Sequence, residues 1–139
     1  MMAGNDLSAT LQSHIRDQYP AILASISDCA ETTRQKLDQH PTQEGDQIKT
    51  FLQDCLDEKN LLAACSHLLQ ESLQAQGLEL PAQPVPSPPY VVVTSRGVML
   101  RGTFEDQRIV ILLQVFTVDP ENTSQYRRCD LQIHVAVHP

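Results

Sequence analysis

Glycine is scarce in this sequence, with five among 139 residues, which leaves little material for a glycine-rich phosphate loop or a nucleophile elbow. Aromatic residues make up 4%, and no segment carries the spaced aromatics on which nucleic-acid bases stack. Long apolar runs are missing too. Runs such as Val91–Val93 and Ile109–Leu113 fall far short of the roughly 20 residues that span a bilayer. The N-terminal region has no basic stretch followed by an apolar core, so neither signal peptide nor anchor is expected and the cytoplasm is the default location.

Metal and thiol chemistry also lack their usual spacings. Cys29, Cys55, Cys65 and Cys129 form no C-x-x-C pair, and His14, His40, His134 and His138 show none of the patterns of zinc sites. The cysteines therefore read as reduced and mostly buried small hydrophobes. Cys65-Ser66-His67 brings a thiol near an imidazole, but residues two apart on a helix point to different sides. No catalytic residue, metal ligand or cofactor site is assigned. Asn122-Thr123-Ser124 matches a glycosylation acceptor, a three-residue pattern that chance supplies often.

What is present is an ordinary globular composition, 41% hydrophobic and 19% charged, in a chain long enough for one core. The formal charge of −7 is unevenly spread. Residues 1–80 hold twelve Asp and Glu against five Lys and Arg, whereas residues 81–139 hold five of each. Such a balance keeps a protein soluble and discourages non-specific contact with nucleic acid or anionic membrane, though a local basic patch could still bind either; no membrane is expected as a partner, and nucleic acid ranks last.

Apolar residues at Leu7, Leu11, Ile15, Ile22, Ile26, Cys29 and Leu37 recur at helical spacing. Proline suits a first helical turn and breaks an interior, so Pro20 divides the stretch into helices near 6–18 and 20–38. His40-Pro41 ends the second. A third is expected from Thr42, an N-cap with Glu44 and Asp46 in the first turn. Its stripe of Ile48, Phe51, Leu52, Cys55 and Leu56 resumes after Asn60 at Leu61, Leu62, Cys65, Leu68, Leu69 and Leu73. Asn60 is thus a candidate cap for a fourth helix, which Gly77 stops.

Five prolines between Pro81 and Pro89 mark an extended linker. Beyond it the period changes to two. Tyr90–Ser95 reads as a strand, Arg96-Gly97 as a turn, and Val98–Phe104 as the return strand, with Val98, Leu100, Gly102 and Phe104 on one face. Glu105-Asp106-Gln107 turns the chain again. Arg108–Val118 is apolar on both faces, Ile109, Ile111, Leu113 and Val115 on one and Val110, Leu112, Phe116 and Val118 on the other. A polar loop, Asp119–Gln125, leads to a last strand near Cys129–Val137.

The expected fold is α+β: three or four N-terminal helices followed by a four-stranded antiparallel β-meander. It comprises an acidic helical segment (1–78), a proline-rich linker (79–89) and a β segment (90–139) in one domain. The surplus apolar face at Val110, Leu112, Phe116 and Val118 is the candidate interface, covered by a second copy or another protein. That makes a non-catalytic interaction or regulatory module the leading reading. The alternative is a binder of anions or phosphorylated small ligands, or an enzyme acting on them, using Arg96, Arg127 and Arg128 at one end of the sheet with Arg101 nearby. Pairing of those arginines with Asp119, Glu121, Asp130 or the acidic helices is the simpler reading.

The block Pro88-Pro89-Tyr90-Val91-Val92-Val93-Thr94-Ser95-Arg96-Gly97, continuing through Leu100-Arg101-Gly102-Thr103, resembles a family of small uncharacterised haloarchaeal proteins, a domain of unknown function. Ile15-Arg16 leading into Tyr19 and Leu23, and the Ile109-Val110 to Val118 strand, are similar in layout. The resemblance implies a cytoplasmic protein of high-salt archaea, with which seven arginines against three lysines agree. It brings no activity, ligand or catalytic residue.

Overall fold

The computed structural model describes residues 4–38, 45–104, 107–118, 121 and 126–138. The expected third-helix start at Thr42 and Glu44, the His40-Pro41 stop, the Glu105-Asp106 turn, and all of the Asp119–Gln125 loop except Glu121 lie outside these residues, as does Asn122.

Four helices precede four strands: α1 (Gly4–Gln18), α2 (Pro20–Asp38), α3 (Gly45–Glu58), α4 (Leu61–Ala75), β1 (Val91–Val93), β2 (Gly97–Phe104), β3 (Gln107–Val118) and β4 (Tyr126–His138). Pro20 opens α2 in the first-turn position where its missing N–H costs nothing. Asn60 joins α3 to α4 in the left-handed conformation, φ 56°, and makes no side-chain capping bond. Its role is therefore to reverse the backbone rather than to cap through its amide. Gly77, at φ 75°, closes the end of α4 as the sequence suggests.

The strands form an antiparallel meander in the order β1-β2-β3-β4. One contiguous core contains residues from every helix and every strand, among them Leu11, Ile26, Leu52 and Leu69 with Leu100, Ile111 and Ile133. The helical half thus packs on the sheet, on the face that carries Ile109, Ile111, Leu113 and Val115, each at 0% exposure. Strand β1 is shorter than the expected Tyr90–Ser95. Past Val91 its edge ends with one bond, from the Arg101 amide to the Tyr90 carbonyl.

At the β1–β2 turn, Thr94 and Gly97 exchange backbone hydrogen bonds at 2.8 and 3.3 Å. The Thr94 hydroxyl accepts from the amides of Arg96 and Gly97. Gly97 has φ 153°, and a β-carbon there would collide with the Leu113 carbonyl oxygen. Gly97→Ala should therefore cost about 2–3 kcal/mol through backbone strain and a displaced β3, measurable as a lower denaturant midpoint.

The cysteine expectation needs correction. Cys29 of α2 and Cys55 of α3 form a disulfide, with Cα atoms 5.6 Å apart, and only Cys65 and Cys129 are free. Twenty-six residues separate the pair in sequence. Their contact is made by the packing of two helices, a relation that spacing does not encode.

Tyr19, in the joint between α1 and α2, donates its hydroxyl hydrogen to Glu71 of α4 at 2.8 Å. Burial first, then the Glu71 carboxylate, push its pKa up to about 12. A neutral tyrosine is thus favoured by folding, so its contribution is complete below pH 10 and is lost as the pH rises through about 12. Tyr19→Phe should remove the phenolate absorbance step near pH 12 and blunt the alkaline loss of stability, both readable in one ultraviolet and circular-dichroism titration.

Candidate functional site

Because side chains alternate along a strand, the residues between the buried ones on β2 and β3 share the face turned away from the helices. The register sets them in rows. Val92, Met99, Leu112 and His134 cross all four strands; beside them run Arg101, Val110 and Ala136, then Thr103, Arg108 and His138. Val92, Met99, Val110 and Leu112 are half-buried, forming an apolar centre on a face that no helix covers among the described residues. His134 donates from Nε2 to Gln114 Oε1 at 2.7 Å, the tautomer being set by the Gln114 amide, which donates to the Phe116 carbonyl.

Val110 and Leu112 therefore lie where the period-two reading puts them. Phe116 does not. The amides of Val115 and Phe116 both donate to the Arg96 carbonyl, at 2.8 and 3.0 Å, and the register against β4 shifts between Gln114 and Phe116. Two consecutive residues opposite one partner make a β-bulge, which reverses the alternation beyond it. Phe116 thus joins Val115 in the core at 1% exposure, and Val118, two residues on and half-buried, follows its side of the strand.

The same bulge gathers three of the candidate arginines at one end of the sheet: Arg96 in the turn, Arg128 opposite Phe116, and Arg127 opposite Thr117. A cleft of about 340 Å³ there is lined by Arg34, Leu37, Asp38, Phe116, Tyr126, Arg127 and Arg128. Two of its cations, Arg34 and Arg128, already face carboxylates. Arg34 holds Glu31 through several hydrogen bonds, the shortest 2.6 Å, and Asp38 at 2.8 Å. Arg128 reaches Glu31 at 3.4 Å and donates to the Ser27 carbonyl. Hydrogen bonding from Arg34 chiefly, with Arg128 adding its charge, holds the Glu31 carboxyl below the usual carboxylate range. Through Glu31 and Ser27, Arg128 thus ties β4 to α2.

Arg101 is not part of that cluster. It stands opposite Val110, well along β2, and shares a separate recess with Thr103 and Arg108. Arg108 is the residue that reading the sequence missed. Its signal was the hairpin register, which sets Thr103 against Arg108 and Arg101 against Val110 and so makes the two arginines diagonal neighbours on one face.

Thiol chemistry finds no support in the geometry. Cys65 is fully buried, which pushes its thiol up to about 12, while His67 is exposed on the other side of α4. Burial first, then the neighbouring Asp130, also raises the Cys129 thiol. Among the described residues no three His, Cys, Asp or Glu side chains converge as a metal site, and no helix is long and apolar enough to cross a membrane.

Residues 9–138 match the family model described as a domain of unknown function (DUF7988). No curated protein and no solved structure matches the chain.

Proposed function

The chain belongs to the DUF7988 family of domains of unknown function, and we propose that it is a non-catalytic interaction or regulatory module that works through the open face of its sheet. The observation that carries this reading is the one-sided packing. The helices cover Ile109, Ile111, Leu113 and Val115, while Val92, Met99, Val110 and Leu112 stay half-exposed on the other side. An apolar centre left in water marks a surface that a partner dries.

Charge selects the partner. The rows of the open face carry Arg101 and Arg108 and no Asp or Glu. A protein with an acidic margin around an apolar patch suits such a face better than a second copy of it, whose like charges repel. Copurification with wild type and with Leu112→Glu tests this. An acidic protein retained by wild type and lost by the folded variant supports the reading. A wild-type chain that sediments as a monomer and carries nothing would sink it, and a dimer abolished by Leu112→Glu would make the second copy the partner.

The cytoplasm of a high-salt archaeon belongs to the same proposal, supported by the excess of arginine over lysine. A disulfide is uncommon in most cytoplasmic proteins, so alkylating the thiols of freshly lysed cells tests the location.

A further inference from the structure

The pairing of β2 with β1 ends at the Tyr90–Arg101 bond, and Leu80, Pro81 and Pro89 from the two ends of the proline segment border a recess beside it. Leu80 packs against the inner side of β2, close enough to Gly102 to leave 3.0 Å for an added β-carbon. Pro81, Pro89 and Tyr90 continue the wall, and Arg101, Thr103 and Arg108 complete a recess of about 220 Å³.

The two arginines differ from those at the other end of the sheet. Arg34 and Arg128 are held by carboxylates, whereas neither Arg101 nor Arg108 contacts a carboxylate among the described residues. Diagonal neighbours on one face stand about 7–8 Å apart, where like charges repel. Among the described residues, the pair is bordered by a hydroxyl, a leucine, two proline rings and a tyrosine.

We infer that this recess binds a small phosphorylated ligand with a flat or apolar body. Two guanidiniums match the double charge of a phosphate monoester and present paired N–H donors to its oxygens, to which the Thr103 hydroxyl adds one more. The rigid rings of Pro81, Pro89 and Tyr90 offer the body an apolar wall that loses little entropy on contact. The recess occupies a corner of the open face, but its occupant is a small molecule and its test needs no protein partner.

The test is thermal shift and calorimetry on the full chain at low ionic strength, with phenyl phosphate, inorganic phosphate and benzoate as probes. Phenyl phosphate should raise the melting temperature saturably and bind more tightly than either of the others. Arg101→Gln and Arg108→Gln, both at exposed positions, should each weaken its binding about tenfold or more. The milder Thr103→Val should weaken it less, and Arg96→Gln, outside the recess, should leave it unchanged. No saturable shift, equal binding of benzoate or inorganic phosphate, or unaltered affinity in folded Arg101→Gln and Arg108→Gln would overturn the inference.

Discussion

Replacing Phe116 with alanine should destabilise the protein by about 3–5 kcal/mol, whereas the same change at Leu112, four residues earlier on β3, should cost about 1 kcal/mol. The contrast follows from the bulge. A regular strand would put both side chains on one face, but the paired amides at the Arg96 carbonyl turn Phe116 into the core at 1% exposure. Truncation there leaves a cavity bounded by Leu37 of α2 and the Arg128 clamp, which cannot collapse without moving α2. Urea denaturation of the two variants measures the difference. Equal costs would mean that alternation continues through Val115 and that Phe116 belongs to the open face.

Loss of the Cys29–Cys55 disulfide should cost about 3–4 kcal/mol, from the loop entropy released in the unfolded chain by a bridge across 26 residues. For a domain of this size that lowers the melting temperature by about 10 °C or more. Both sulfurs are buried between α2 and α3 at 0% and 5% exposure, so reductant should act slowly on the native protein and fast on the unfolded one. Melting with and without reductant reads the stabilisation. Thiol titration in denaturant counts the bridge directly: two reactive thiols, Cys65 and Cys129, are expected, and four would remove the disulfide and the stabilisation assigned to it.

The parts of the fold legible in the sequence were those written in local periodicity. The helix starting at Pro20, the Gly77 stop and the faces of β2 each follow from a backbone rule or an alternation that neighbouring residues declare. The features that escaped are long-range. A bulge depends on which carbonyl two amides find across the sheet, a disulfide on which helices touch, and the Arg101–Arg108 pair on hairpin register. Of the candidate interface, Val110 and Leu112 stay on the open face while Phe116 and Val118 follow the bulge away from it. Of the candidate arginines, Arg128 is held by Glu31 on α2, a partner that only helix-on-sheet packing supplies. Clustering at Arg127-Arg128 was visible in the sequence, whereas the register that sets Arg101 beside Arg108 was not.

The one-sidedness of the sheet is most directly tested by melting Leu112→Glu beside Ile111→Glu, adjacent residues of β3 that differ in which face they serve. The expected result is a Leu112→Glu variant that stays folded within about 1 kcal/mol of wild type, because its carboxylate reaches water. Ile111→Glu, which forces a charge among fully buried helix and sheet residues, should not fold. If both variants unfold alike, the second face is covered within the single chain, and a docking surface there is contradicted.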